Sequence, residues 1–142
     1  MLVHCFWLTL LFIVQMGSTA PTLDRRLLGA HRLLKGDKKI KTFTGLGTHY
    51  DVGSGSCGEF DTNSDLVVAV NKAQMQNGPN PNKNPHCYQM VSIRGDMGNV
   101  VAKVTDTCPA CGEGSLDMSP SVYEIVCGTL ASGVCHITWN FL

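Results

Sequence analysis

The sequence has few charged and few aromatic residues, and its charges are unevenly distributed. Charged residues make up 15% and aromatic residues 7% of the 142 residues. Residues 42–142 contain only four lysine or arginine residues against nine aspartate or glutamate residues. Because neutralising a phosphate backbone requires clustered cations, this shortage argues against nucleic acid as a partner.

The sequence also lacks an apolar run long enough to cross a membrane. Its most apolar stretch, residues 2–14, is shorter than the roughly 20 residues of a transmembrane helix, so no stable membrane insertion is expected. The stretch leads to Gly17-Ser-Thr-Ala20, small residues typical of a signal peptidase site. A buried core helix is the alternative interpretation. We interpret residues 1–20 as a signal peptide and expect a secreted, extracellular protein.

The next segment, residues 21–41, is basic. It contains seven lysine or arginine residues against two aspartates, including the dibasic pairs Arg25-Arg26 and Lys38-Lys39. Its leucines would line one face of a helix, which would also suit a membrane surface or a partner. We expect a basic leader or removable pro-segment that is poorly ordered.

Six cysteines remain once the signal peptide is removed: Cys57, Cys87, Cys108, Cys111, Cys127 and Cys135. An even number in a small exported chain predicts three disulfides, whose connectivity the spacing leaves open. A Cys57–Cys87 bridge would close a long loop and act as the main clamp. The other four cysteines could instead bind zinc, or the Cys-x-x-Cys could be a redox motif. The wide spacing of the last two cysteines argues against zinc and the late start of the next helix argues against a redox motif, so no metal or cofactor is expected.

Residues 42–142 contain many short apolar alternations and little helical pattern. The alternations predict strands over 42–52, 66–70, 88–93, 100–104 and 135–141. One or two helical turns are predicted over 72–76 and a helix over 119–127. This pattern predicts a single mainly β domain, a small closed barrel stabilised by disulfides.

Two carboxylates flank the loop that carries the Cys-x-x-Cys motif. Asp106 follows a predicted strand, and Asp117 precedes a predicted helix that begins near Ser119. A compact glycine-containing loop between them could bring both acids onto one solvent-open surface. Alternatively, Asp117 could cap the helix, and Asp106 could be held by amides of the loop.

Six motifs, taken together and in this order, resemble a known family. They are Gly47-Thr-His-Tyr-Asp51, Gly55-Ser-Cys-Gly58, Val67-Val-Ala-Val-Asn71, Val104-Thr-Asp-Thr-Cys-Pro-Ala-Cys111, Leu116-Asp-Met-Ser-Pro120 and His136-Ile-Thr-Trp-Asn-Phe141. The sequence over 42–142 resembles the six-stranded double-psi β-barrel domain of rare lipoprotein A, barwin-like proteins, expansins and the single-domain loosenins of fungi. The resemblance implies this barrel with one or two short helices.

The resemblance also implies where a ligand binds. In expansin-like proteins, the residue needed for wall loosening corresponds to Asp117, and Thr48 and Asp106 correspond to residues that line the same groove. Cys108 replaces a tyrosine of bacterial expansins, which removes one surface for stacking a sugar. His49, Tyr50 and Tyr88 are candidates to take over that contact.

We therefore expect a secreted, monomeric, non-enzymatic protein that binds cell-wall polysaccharide of the cellulose or chitin class in a shallow groove. The alternative is a protein-binding module, a cysteine-protease inhibitor or an effector directed at a host protein. A third interpretation is a glycoside hydrolase similar to family 45, with Asp117 as the acid and Asp51 as the base.

Overall fold

Six strands close into a barrel in the computed structural model, which describes residues 39–142. The strands are β1 Phe43–His49, β2 Val67–Asn71, β3 Met90–Arg94, β4 Asn99–Cys108, β5 Leu116–Met118 and β6 Cys135–Phe141. The helices are α1 Lys72–Met75 and α2 Pro120–Cys127, with single 3₁₀ turns at Pro81–Lys83 and Leu130–Ser132. The signal peptide and nearly all of the basic leader predicted above lie outside the described residues.

The order of strands around the barrel is β1-β5-β2-β4-β3-β6. The β1–β5 and β2–β4 pairs are parallel, and the other four pairs are antiparallel. Closure therefore gives each of these six strands a partner on both sides. The prediction of a mainly β, closed six-stranded barrel with short helices is confirmed.

The core fills the inside of this barrel and the space under α2. All five residues of β2 are buried, which explains why its sequence is continuously apolar up to Asn71. Trp139 of β6 is 1% exposed, and its indole Nε1–H donates a 2.8 Å hydrogen bond to the carbonyl of Gly114. This bond ties the loop before β5 to the opposite strand.

The helix α2 begins where its sequence predicts. The hydroxyl of Ser119 accepts a hydrogen bond from the backbone N–H of Val122, and Pro120 occupies the first helical turn. The helix ends at Gly128, whose φ of 87° favours glycine. Because Ser119 is the cap, Asp117 has no capping role and lies within β5 instead.

The strand predictions were wrong mainly at three places. The first strand ends at His49 and not at residue 52, so Tyr50 and Asp51 lie in the loop that follows it. β4 does not end before Asp106 but continues to Cys108, and the three-residue strand β5 was not predicted at all. Asp106 and Asp117 are therefore both strand residues.

The six cysteines form three disulfides, as predicted. The pairs are Cys57–Cys87, Cys108–Cys111 and Cys127–Cys135. Four of these cysteines were the alternative zinc ligands, and a disulfide sulfur is not the thiolate that zinc requires.

Within residues 39–142, no helix is long and apolar enough to cross a membrane.

Candidate functional site

A β-bulge at Thr105 determines which way Asp106 faces. Val68 of β2 pairs with Val104, but the next residue, Ala69, pairs with Asp106, so Thr105 is skipped in the register. Val68 and Val104 both belong to the core. Because side chains alternate along a strand, the extra residue turns Asp106 to the outer face beside Ala69.

Asp117 reaches the same face from the neighbouring strand. It pairs with Ala69 on one side and with Thr48 on the other. Thr48, Asp117, Ala69 and Asp106 therefore form a row across β1, β5, β2 and β4, which we call the acidic row. With strands about 4.8 Å apart, the backbones of the two acids lie roughly 10 Å apart.

Hydrogen bonds fix both acids of the row. Thr48 Oγ1 donates a 2.7 Å hydrogen bond to Asp117 Oδ1. Asp106 Oδ1 accepts hydrogen bonds from the backbone N–H groups of Ser56, at 2.8 Å, and Thr107, at 2.7 Å. Backbone amides thus hold Asp106, but they belong to Ser56 and Thr107 and not, as the alternative interpretation predicted, to the Cys-x-x-Cys loop. Both carboxylates are half-buried. Each keeps a second oxygen that can accept hydrogen bonds from a ligand.

Tyr50 lies against the acidic row. Its backbone N–H donates to the carbonyl of Met118 at 3.1 Å, which holds it alongside the end of β5. Burial raises the pKa of the Tyr50 hydroxyl, and the negative charges of Asp106, Asp117 and Asp61 raise it further. Tyr50 therefore keeps its proton well above neutral pH and can donate a hydrogen bond at the row.

The raised pKa of Tyr50 predicts an alkaline effect. The unfolded chain loses the phenol proton near pH 10, whereas the folded protein keeps it to higher pH. The stability linked to this proton is thus present below pH 10 and is lost as the pH rises above it. In a titration of tyrosinate absorbance at pH 11, we expect Tyr50→Phe to leave the folded-state signal unchanged. A clear loss of signal in the variant would show that Tyr50 ionises normally.

Asp61 adds a third acid next to Tyr50. It is 7% exposed, its Oδ1 lies 3.7 Å from Lys103 Nζ, and its Oδ2 has no hydrogen-bond partner among the described residues. Lys103 also forms a 2.7 Å salt bridge with Glu59. The carboxylate of Asp61 is therefore only partly neutralised and makes the surroundings of Tyr50 more negative.

The Cys108–Cys111 disulfide borders the row beside Asp117. The two sulfurs and a carboxylate oxygen of Asp117 all lie within 4.8 Å of one another. As a disulfide, the pair offers no thiolate for a metal ion. It occupies the position where the resemblance to bacterial expansins predicts a tyrosine.

Two of the predicted site residues do not join the row. His49 points to the opposite side of β1, where its Nε2 lies 3.1 Å from the carbonyl of Leu130 and its ring packs on Tyr123. Asp51 is exposed in the loop after β1 and accepts a 3.2 Å hydrogen bond from Asn63. The structure thus brings together Thr48, Tyr50, Asp106 and Asp117 but not His49 or Asp51.

Sequence reasoning missed Ala69, Ser56 and Asp61. Ala69 interrupts three valines in β2, and this small residue within an apolar strand was the available signal. Ser56 contributes only its backbone N–H, for which a sequence carries no signal. Asp61 lies between motifs, and its proximity to Tyr50 arises from the fold of the loop that joins β1 to β2.

No protein-family model matches the chain, and no curated protein matches it. Among solved structures, it is similar to the Streptomyces papain inhibitor, with 32% identity and a TM-score of 0.65 over 73% of this chain and 97% of that chain. It is also similar to Clavibacter michiganensis expansin, both a mutant in complex with cellohexaose (TM-score 0.59) and the apo protein (0.58). Both expansin matches have 22% identity and span 72% of this chain but only 50% of the expansin.

Proposed function

Because the chain belongs to the double-psi β-barrel proteins that are similar to rare lipoprotein A, we propose that it binds a cell-wall polysaccharide along the acidic row without cutting it. The polysaccharide would be a β-linked glycan of the cellulose or chitin class. We also propose that the protein is a secreted monomer, with residues 1–20 as signal peptide and 21–41 as leader. Three disulfides in a small domain suit an oxidising, extracellular compartment.

The observation that carries this proposal is the alignment of Thr48, Asp117 and Asp106 on one outer face, with Tyr50 beside them. Carboxylate oxygens accept hydrogen bonds from sugar hydroxyls, and the protonated Tyr50 can donate one. A half-buried face with a few polar contacts predicts weak binding, which suits a polymer that presents many copies of one unit.

The arrangement favours binding over hydrolysis. Inverting hydrolysis requires a general acid and a general base on opposite sides of the scissile bond, with room for a water molecule. Asp51, the candidate base, lies in the loop after β1 and is bonded to Asn63. Asp51 and Asp117 therefore do not form an acid–base pair on the acidic row. We expect no release of reducing sugars from cellulose or chitin.

Replacing Asp117 with asparagine tests the proposal. The change keeps the shape of the side chain but removes the charge that strengthens its hydrogen bonds. We expect retention on insoluble cellulose or chitin to fall by about tenfold, because hydrogen bonds to charged groups contribute roughly 1.5 to 3 kcal/mol. Co-sedimentation over a range of polysaccharide concentrations measures the effect.

Asp96→Asn is the matched control, because Asp96 is an exposed carboxylate in the turn between β3 and β4. We expect this variant to be retained like the unmodified protein. If the unmodified protein is retained no better than a non-binding protein, or if both variants lose retention equally, the acidic row is not the polysaccharide site.

A second function is favoured by the similarity to the papain inhibitor, which extends over 97% of that protein at 32% identity. In this case, the protein would bind and inhibit a cysteine protease. Assays with papain separate the two functions. Inhibition of papain combined with no retention on cellulose or chitin would replace polysaccharide binding with protease inhibition.

A further inference from the structure

A cavity of about 710 Å³ opens at the end of the barrel where β1 begins and β6 ends. It is lined by the start of β1, the end of β6, α1 and the segment before β3, and it includes no residue of the acidic row. With a rise of about 3.3 Å per residue, Phe43 lies roughly 17 Å from Thr48 along β1. The cavity is thus a separate feature, with a volume typical of a small-molecule site.

The charge of the cavity differs from that of the surrounding domain. Lys39 and Lys41 line it, and among residues 39–142 none of the side chains that line it is acidic. By contrast, residues 42–142 contain nine acidic residues and four lysines or arginines. The ammonium group of Lys41 lies 5.0 Å from the centre of the Phe43 ring, which holds a positive charge at the mouth of the cavity. This distribution favours an anionic ligand.

Aromatic rings form one wall of the cavity. The rings of His86 and Phe141 stack with centroids 4.7 Å apart, and Phe141 meets the ring of Phe43 edge-on at 6.2 Å. All three rings are half-buried, so each still presents some surface. The part of each ring that stays exposed is apolar and can pack against the apolar face of a sugar ring.

Carboxamide groups contribute the other polar contacts. The side-chain oxygen of Gln74 is bonded to the backbone N–H of Gly114, and that of Gln89 lies 3.2 Å from His86 Nδ1. These contacts fix both carboxamides and leave their NH₂ groups to donate to a ligand. Asn140 uses its NH₂ group to bond the carbonyl of Phe141, which leaves its oxygen as an acceptor. Fixed donors and acceptors match the paired hydroxyls of a sugar.

We propose that this cavity is a second carbohydrate site and that it binds a short acidic oligosaccharide, an oligouronate. The lysines would pair with the uronate carboxylates, the amides with the hydroxyls and the aromatic wall with a ring face. The proposal does not depend on what the acidic row binds. It requires that Lys39 and Lys41, the last lysines of the proposed leader, stay attached to the barrel, so a leader that is removed must be cut before Lys39.

Calorimetric titration of the intact protein tests the site with three probes of similar length: tetragalacturonate, cellotetraose and tetraglutamate. We expect tetragalacturonate to bind, with an affinity that falls as salt is added, and the other two to bind at least tenfold more weakly. Lys39→Gln combined with Lys41→Gln should weaken tetragalacturonate binding by about tenfold. Both lysines are exposed, so the variant should fold normally, which circular dichroism checks.

Two control variants locate the binding. Lys83→Gln removes an exposed lysine away from the cavity, and Asp117→Asn alters the acidic row. Both should bind tetragalacturonate like the unmodified protein, whatever their effect on cellulose retention. The proposal is overturned if tetragalacturonate does not bind or if tetraglutamate binds equally well, since the latter result indicates a general anion site. It is also overturned if cellotetraose binds as well as tetragalacturonate to Asp117→Asn, the variant in which the acidic row is altered. Loss of binding in either control variant also overturns it.

Discussion

Replacing Cys57 and Cys87 together with alanine is expected to lower the free energy of unfolding by about 3 to 4 kcal/mol. This disulfide joins residues 30 apart in sequence, so its loss frees a long loop in the unfolded chain. Cys57 is also 2% exposed and belongs to the core. Urea unfolding at about 25 °C, followed by circular dichroism, measures the change in the free energy of unfolding.

The other two disulfides serve as controls of the same chemistry. Their cysteines are 8 and 3 residues apart. The loop-entropy estimate gives about 2 to 3 kcal/mol for Cys127–Cys135 and about 1 to 2 kcal/mol for Cys108–Cys111. We therefore expect the cost of removal to follow the loop length. Equal costs for all three pairs would mean that local packing, and not loop closure, determines their contribution.

Replacing Gly114 with alanine is expected to destabilise the protein by about 2 to 5 kcal/mol, for two independent reasons. Gly114 has a φ of 82°, a conformation that costs other residues roughly 1 to 2 kcal/mol. In addition, an added Cβ would lie 2.1 Å from the carbonyl oxygen of Thr44, and overpacking costs roughly 1 to 3 kcal/mol more. The same urea unfolding experiment measures the loss.

Two other glycines separate these contributions. Gly133 has a φ of 69° but open space around it, so Gly133→Ala should show the conformational cost alone. Gly112 has open space and no left-handed φ, so Gly112→Ala should change stability by less than about 0.5 kcal/mol. If Gly114→Ala costs no more than Gly133→Ala, then the contact between β1 and the loop before β5 is not tight.

Local signals in the sequence predicted the parts of the fold that local interactions determine. Ser119 and Pro120 mark the start of α2, and the strand predicted over residues 135–141 agrees with β6, Cys135–Phe141. β5 has only three residues, too few for an alternating pattern, and its partners β1 and β2 are more than 40 residues away. Its pairing depends on closure of the barrel, which no local pattern records.

The contrast between local signals and long-range strand pairing also explains which parts of the candidate site the sequence predicts. The loop between them identifies Asp106 and Asp117 in the sequence, and the family motifs add Thr48. The common face of all three follows from strand register, which neither the loop nor a motif shows. Alternation alone would place Asp106 on the same face as Val104, inside the barrel. The bulge at Thr105 reverses this placement, and it has no signature in the sequence. His49 was chosen as an aromatic residue next to Thr48, but adjacent residues of a strand face opposite sides.

The bulge at Thr105 makes the number of residues in β4 as important as their identity. Deleting one residue from the middle of this strand would move every later side chain of the strand to the opposite face. Asp106 would then turn inward, although each remaining amino acid is unchanged. A relative whose aligned sequence has a one-residue gap here has therefore lost this carboxylate from its outer face, even if an aspartate still occupies the aligned column.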